Sequence, residues 1–450
     1  MKTITNFQHK KILVLGLAKS GVSAALLLHK LGAFVTVNDR QPLNENPEAQ
    51  HLLEQGIKVI CGSHPIELLD EGFEIIVKNP GIPYHNPLVA GAAERGIPVL
   101  TEIELAYLIS EAPFIGITGT NGKTTTTTLI YEMFKADKKS AVLAGNIGQV
   151  ASEVVQEAQP KDHVIIELSS FQLLGIDKFR PHIAIITNLY EAHLDYHGTK
   201  EEYAQAKLNI TKNQTENDFL IVNADQEHLL QLTEKTEAAL VPFSTKEMKA
   251  TGACVQDKYI VFRGEKIIAL AEVALPGAHN LENILAAVSA AKLAGVTNEA
   301  IKEVLTTFSG VRHRTQFVRE WNGRKFYNDS KATNTLATKS ALAAFDQPIV
   351  LLAGGLDRGN GFDDLIPYMK NVKALITFGE TAGKLSETAE RAGVEKVVKT
   401  ENMQQAVRAA YESSAEGDII LLSPACASWD QYKTFEQRGD IFIEAVHTLK

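Results

Sequence analysis

Short apolar runs rich in β-branched and aliphatic residues alternate along this chain with longer stretches in which apolar positions recur every third or fourth residue. The first hundred residues carry KILVLG (11–16), FVTVN (34–38), IKVI (57–60), FEIIV (73–77) and IPVL (97–100), with a helical pattern over 20–31. Unbroken apolar runs suit strands covered on both faces, and their alternation with helices predicts a parallel, doubly wound sheet. A helical lead-in at 103–109 opens a second series, with strands predicted at 114–118, 164–168, 183–187 and 219–222. Between 253 and 275 strand signals follow one another without helices, which predicts a small antiparallel patch. Leu281, Ile284, Leu285, Val288 and Ala291 then fall on one helical face, and Gly295 ends that helix. A third series starts with a hairpin over 316–327 around Asn322-Gly323 and continues with strands at 349–352, 374–378 and 419–422. The expectation is an α/β chain of three domains: a Rossmann-like domain at 1–101, a central P-loop type domain at 102–310 carrying the antiparallel patch, and a Rossmann-like α/β domain at 311–450.

Length agrees, since 450 residues exceed what one core organises. With 45% hydrophobic and 22% charged residues the composition is that of a soluble globular protein. The net charge of -9 is spread along the chain, so no nucleic-acid footprint is expected. Cys61, Cys254 and Cys426 lie far apart and form no C-x-x-C pair, which suits reduced thiols in the cytosol. Basic residues precede the apolar run 12–17, but that run is too short for a signal peptide and leads straight into a glycine turn. No stretch approaches the ~18–20 apolar residues of a membrane span. A cytoplasmic location is expected.

The most informative stretch is FIGITGTNGKTTTTTL, 114–129. A β-branched run leads into Gly119-Thr120-Asn121-Gly122-Lys123-Thr124, and a helical pattern follows. Such a loop aims backbone N–H groups and a helix N-terminus at one point; Lys123 adds a charge, and Thr124 offers a hydroxyl to a magnesium ion. The strict motif places a glycine where Ile117 stands, so this is a variant phosphate loop. A second turn, Gly16-Leu17-Ala18-Lys19-Ser20-Gly21, keeps the spacing of a dinucleotide turn with Ala18 at its middle glycine, and Asp39 ends the next strand. By itself that turn either binds a nucleotide or only packs a helix onto a strand.

Polar residues at the ends of the predicted strands supply further candidates. Glu167 lies among apolar neighbours, where it either binds a metal beside the phosphate loop or reaches solvent at the strand end. His193, Asp195 and His197 alternate after the strand at 183–187; without a nearby cysteine they suit one histidine on a hard metal or phosphate better than a zinc triad. Lys207 sits in a helical stretch, 201–210, and reads from spacing alone as solvated. Arg312, His313 and Arg314 mark the predicted junction at 310; the loops NDSKATN (328–334) and SPACASWD (423–430) are either anion sites or ordinary helix caps.

Taken together and in order, GLAKSGVS, NPGIP, GTNGKTT, GNIG (145–148), ELSSFQ, HLD, AKL, HNLENILAA, HR, NDSKATN and LLSPACASWDQYKTFEQRG resemble the Mur ligases of peptidoglycan synthesis over essentially the whole chain. The last two strings resemble the D-glutamate-adding branch, and the Asn-Pro-Arg stretch of the diamino-acid-adding member is missing. The resemblance implies an ATP-dependent amide ligase that adds D-glutamate to UDP-N-acetylmuramoyl-L-alanine through an acyl phosphate. It implies that Gly119, Thr120, Asn121, Gly122, Lys123, Thr124 and Thr125 hold ATP phosphates, and that Asn280 or Asn283, Arg314 and Asp329 hold its adenine and ribose. Thr124, Glu167, His193 and a carbamylated Lys207 would serve two magnesium ions, with Lys123, Glu167, His193 and Lys207 as the catalytic set. Ser20, Asp39, Arg40, Asn79 and Asn146 would hold the UDP substrate, and Lys331, Thr333, Arg358, Ser428 and Phe435 the D-glutamate. Tyr196-His197 departs from members with arginine after His-x-Asp, and Arg358 stands where a lysine is common. The resemblance further implies small-molecule partners only and a monomer. Competing readings are folylpolyglutamate synthase, which lacks a UDP-type first domain; a dehydrogenase resting on Gly16, Gly21 and Asp39; and a nucleotide switch that turns over no amino acid.

Overall fold

The architecture is given by a computed structural model that describes every residue except Met1, Thr3, Gly148, Lys249 and Lys450, and all side chains of the rest except that of Asp195. The last glycine of GNIG and the Asp195 side chain therefore lie outside the described residues. The chain divides into two units, residues 1–272 with 282–304 and residues 273–281 with 305–450.

The first unit begins with β1 (Lys11–Leu15), β2 (Phe34–Asp39), β3 (Lys58–Cys61), β4 (Ile75–Lys78) and β5 (Val99–Leu100), ordered β3-β2-β1-β4-β5. All four ladders are parallel. Side chains alternate across β1: Ile12 and Val14 enter one core, and Leu13 and Leu15 the other. That two-sided burial is why the run reads as unbroken apolar sequence.

The same unit continues with β6 (Phe114–Thr118), β7 (Ala141–Gly145), β8 (His163–Glu167), β9 (Ile183–Ile186), β10 (Phe219–Asn223) and β11 (Ala239–Ser244). β12 (Ala253–Gln256), β13 (Tyr259–Phe262) and β14 (Glu265–Ala269) complete a sheet ordered β14-β13-β12-β11-β10-β9-β6-β8-β7. The ladders joining β12, β13 and β14 are antiparallel, as the helix-free stretch predicted, and the rest are parallel. β6 is flanked by β8 and β9, so its carboxyl end opens at a switch point where loops diverge to either side, the usual place for a ligand in such sheets.

In the second unit β15 (Gln316–Trp321), β16 (Arg324–Asn328), β17 (Ile349–Gly354), β18 (Val372–Phe378), β19 (Lys396–Lys399) and β20 (Ile419–Leu422) are ordered β15-β16-β20-β17-β18-β19. Only the predicted β15/β16 hairpin is antiparallel, and its turn residues Asn322 and Gly323 both have positive φ. Sequence reading missed β7, β11 and β19. β7 and β19 are sheet edges; β19, KVVK, has solvent-facing lysines at both ends and too short an apolar run to stand out. No helix among the described residues is long and apolar enough to cross a membrane.

Candidate active site

β6 is buried throughout and delivers the chain into the phosphate loop, from which the helix Lys123–Ala136 departs. Gly119 and Gly122 adopt φ of +139° and +81°, and a Cβ on them would lie 2.0 Å from Thr187 Oγ1 and Asn283 Oδ1 respectively. Only glycine fits either position. The residues after β9 brace the loop: Asn188 Oδ1 accepts from Asn121 N at 2.8 Å, and Thr187 Oγ1 donates to Asn121 O at 2.6 Å. Lys123 Nζ folds back to donate to Gly119 O and Thr120 O, both at 2.9 Å. No acidic residue occupies the first turn of the helix, so its positive end is unopposed there. Thr125 follows in that turn, half-buried.

Glu167 ends β8, beside β6, and is 3% exposed, which rules out the solvent-reaching alternative. Thr124 Oγ1 donates to its Oε2 at 2.7 Å and Asn146 Nδ2 to its Oε1 at 3.3 Å. Lys207, in the helix Lys200–Leu208, is only 2% exposed and donates to Gly119 O at 2.7 Å. Its reading as a solvated helical lysine is thus corrected: the helix packs the aliphatic stem inward and brings Nζ under the phosphate loop. Burial, then Lys123, pull its pKa well below the usual lysine value, against the opposing pull of Glu167. The Tyr203 ring lies 4.7 Å from Lys207 Nζ, and the Tyr203 hydroxyl meets Thr120 Oγ1 at 3.2 Å. His193 has left-handed backbone (φ 55°) and packs on Phe171, while His197 meets Ser170 Oγ at 2.9 Å. No group of three His, Cys, Asp or Glu residues able to hold a metal occurs among the described residues.

A cavity of about 630 Å³ joins these residues to the first sheet: Ser20 and Asn79 line it together with Asn146, Lys123, His193 and Lys207. Asn79 Nδ2 donates to Ser20 Oγ at 3.0 Å. Asp39 works behind that wall, its Oδ2 accepting from Leu17 N at 2.7 Å and its Oδ1 from Gln41 N at 2.8 Å. Arg40 is exposed at the end of the same strand and is not part of the cavity lining.

In the second unit Asp329 is buried; its Oδ2 accepts from Ser423 Oγ at 2.8 Å and its Oδ1 from Thr315 N at 3.1 Å. Burial pushes its carboxyl up to about 7. Lys331 Nζ lies 5.2 Å from the Phe435 ring, and Thr333 and Arg358 line a cavity of about 220 Å³. The Arg358 guanidinium sits 5.0 Å from the Trp429 ring. Ser428 Oγ is buried with no hydrogen-bond partner among the described residues. Sequence reading missed Arg438, which is fully buried and donates to Ser330 Oγ and O, Gly354 O and Cys426 O, tying three loops together. Its place in FEQRG, an arginine followed by glycine at a helix start, was the available signal. Asn283 belongs to the first unit against Gly122, whereas Asn280 belongs to the second and donates to Pro276 O.

A phosphate loop with a carboxylate-hydroxyl pair beside it, on a cavity shared with the first sheet, has the make-up of a nucleotide-dependent enzyme. Family models match in the same order: Mur ligase MurD-like, N-terminal domain over 10–101, Mur ligase middle domain over 117–291, and Mur ligase, glutamate ligase domain over 313–426. Proteins named UDP-N-acetylmuramoylalanine--D-glutamate ligase are similar over the full chain. That of Listeria monocytogenes is 63% identical, covering 100% of this chain and 99% of that protein, and that of Geobacillus kaustophilus is 61% identical, covering 100% of each. Among solved structures, the UDP-N-acetylmuramate-alanine ligase MurC of Thermotoga maritima aligns with a TM-score of 0.59 at 19% identity, over 98% of this chain and 100% of that one. The MurF ligase of the same organism, in complex with ADP, aligns with a TM-score of 0.58 at 15% identity, over 98% and 96%. The chain belongs to the Mur ligase family.

Proposed function

We propose that this chain is the ATP-dependent ligase that joins D-glutamate to UDP-N-acetylmuramoyl-L-alanine, releasing ADP and phosphate, in the synthesis of the peptidoglycan precursor. The observation that carries this reading is that Ser20 and Asn79, which follow β1 and β4 of the first sheet, line one cavity together with Lys123, His193 and Lys207. A shared cavity is what a nucleotide-linked acid needs to meet a phosphate held at Lys123.

Making an amide from a carboxylate requires an activated acyl group. The L-alanine carboxylate attacks the γ-phosphorus of ATP, the bond to ADP breaks, and an acyl phosphate forms. The amine of D-glutamate then attacks the acyl carbon, loses a proton, and phosphate leaves. The phosphate loop and Lys123 hold the γ-phosphate in line and neutralise its charge, so catalysis is mainly positioning and electrostatics. The hydroxyl of Thr124 and the carboxylate of Glu167 are hard oxygen donors within hydrogen-bond reach of each other, a set that fits magnesium. His193 and a carbamylated Lys207 complete two such sites in this reading; magnesium there supplies charge neutralisation on the phosphates. The depressed pKa of Lys207 supports carbamylation, because only a neutral amine attacks carbon dioxide, forming an N–C bond and releasing a proton. Asp39 and Arg40 serve the uridine side, Asn283 or Asn280 with Arg314 and Asp329 the nucleoside of ATP, and Lys331, Thr333, Arg358, Ser428 and Phe435 the D-glutamate. The domain limits 1–101, 102–310 and 311–450, a monomeric state and a cytoplasmic location complete the reading.

Phosphate release from ATP and magnesium with UDP-N-acetylmuramoyl-L-alanine tests it. Release should require D-glutamate and be absent with L-glutamate or L-alanine; release that follows another amino acid overturns the assigned substrate. For Lys207, protein incubated with ¹³C-bicarbonate should show a carbamate carbonyl resonance that Lys207→Arg lacks. A wild-type spectrum without it removes the carbamate.

A further inference from the structure

Lys78 ends β4 and is 1% exposed, among the largest fully buried side chains, yet no carboxylate among the described residues pairs with it. Its Nζ donates to Pro80 O at 3.3 Å, Ile82 O at 2.9 Å and Tyr196 Oη at 3.2 Å, so each N–H of the ammonium has an acceptor. Tyr196 Oη lies 3.2 Å from Pro80 O and 3.0 Å from Ile82 O, the same two carbonyls, and its proton goes to one of them. The Tyr84 ring flanks the ammonium at 4.7 Å. Burial alone lowers the pKa of Lys78 to about 8, and no acidic group offsets it. Burying an unpaired charge costs stability, and an apolar residue of similar length would fill the space without that cost. Packing therefore does not account for a lysine here.

The bonded carbonyls belong to the loop that follows β4, and that loop puts Asn79, Pro80 and Gly81 on the wall of the large cavity. Tyr196 comes from the short helix Leu194–His197 that directly follows His193, and its ring packs on Phe171 with centroids 4.4 Å apart. His193 and Phe171 line the same cavity. Lys78 and Tyr196 thus tie these two stretches of the cavity lining together, at the position where this chain has tyrosine after His-x-Asp.

We propose that Lys78 and Tyr196 are a pair of positioning residues that clamp the Asn79 loop to the His193 turn, fixing the UDP-linked substrate so that its carboxylate end meets the phosphate held at Lys123. This rests on the reading given under Proposed function. Neither residue is part of the cavity lining; the pair sets the spacing between groups that are.

The test uses the full chain with Tyr196→Phe, which keeps the ring and deletes one hydroxyl, together with Lys78→Met and the double variant. Calorimetry measures binding of UDP-N-acetylmuramoyl-L-alanine without ATP, and steady-state kinetics give KM for each substrate. Tyr196→Phe should weaken binding and raise KM for the UDP substrate about tenfold, the loss of one hydrogen bond to a charged network, without a matching rise in KM for ATP. The double variant should be little worse than the poorer single one, because both remove one device. Unchanged affinity in Tyr196→Phe, a parallel rise in KM for ATP, or additive losses would each overturn the clamp. A wild-type chain that does not bind the UDP substrate overturns the substrate reading and the clamp with it; a wild type that binds, beside a Tyr196→Phe variant that binds equally, overturns the clamp alone.

Discussion

Two turns in the first unit are built on one plan. Ala18-Lys19-Ser20 starts the helix after β1, and Gly122-Lys123-Thr124 starts the helix after β6; in both, a lysine and then a hydroxyl open a helix that has no side-chain cap and no acidic residue in its first turn. Both line the same cavity through Ser20 and Lys123. What differs is the residue placed opposite. Ser20 Oγ faces the Asn79 amide, while Thr124 Oγ1 faces the Glu167 carboxylate. A carboxylate beside a hydroxyl makes a cation site, whereas an amide beside a hydroxyl makes a neutral polar surface. The turns also differ in their lysines: Lys19 is exposed, but Lys123 is half-buried and folded onto its own loop. Finally, the braces differ: the Asp39 carboxylate at the end of β2 accepts from Leu17 N in the first turn, whereas Thr187 and Asn188 brace the phosphate loop. The comparison teaches that a glycine turn acquires its ligand from the neighbouring strands as much as from its own residues.

The largest expected effect separates the two lysines. Lys123→Ala should reduce phosphate release by about 10³-fold or more while leaving the affinity for the UDP substrate unchanged in calorimetry. Lys19→Ala should cost less than about tenfold, since an exposed lysine contributes little beyond a screened charge. Equal losses would erase the distinction. A smaller effect probes the brace on the first turn: Asp39→Ala removes the acceptor that holds the Leu17 amide and should raise KM for the UDP substrate by about tenfold, with KM for ATP unaltered.

The smallest effect lies behind the first turn. Its helix is held at Ser23, whose Oγ meets Ser152 Oγ at 2.6 Å, and the buried Glu102 carboxyl accepts from Ser152 N. Burial raises Glu102 to about 7 from 4.5, against the lowering effect of its Ser152 bonds. Between those values the folded chain holds a proton that the unfolded chain has released, so stability falls as pH rises through this window and the loss is complete above it. The melting temperature of Glu102→Gln should therefore decline less between pH 5 and 8 than that of the wild type; identical declines would assign the titration elsewhere.

Features set by neighbours in sequence were legible without coordinates. The phosphate loop needs only a strand, two glycines and a helix in succession, and the unbroken apolar runs of β1, β6, β17 and β20 announced strands covered on both faces. Edge strands were harder to see, because one open side relaxes the apolar requirement, as in β19. Among site residues, Lys123 and Thr124 were assigned from local pattern, and Glu167 was narrowed to two alternatives by its apolar surroundings. Lys207 was misread from spacing, because its helix places it among polar neighbours in sequence while the phosphate loop that covers it lies far away along the chain.

By itself, then, the sequence determined the kind of chain this is: parallel α/β sheets, a variant phosphate loop, and a run of motifs shared with one family. Each follows from local propensity and from how burial constrains residue type. Only the tertiary structure decided which partner each polar group received. Glu167 lies opposite Thr124, Asp39 on Leu17, Lys207 beneath Gly119 and Arg438 among three loops. Those pairings join residues distant in sequence, and their energy comes from desolvation and hydrogen bonds that exist only once the sheets have brought the strand ends together.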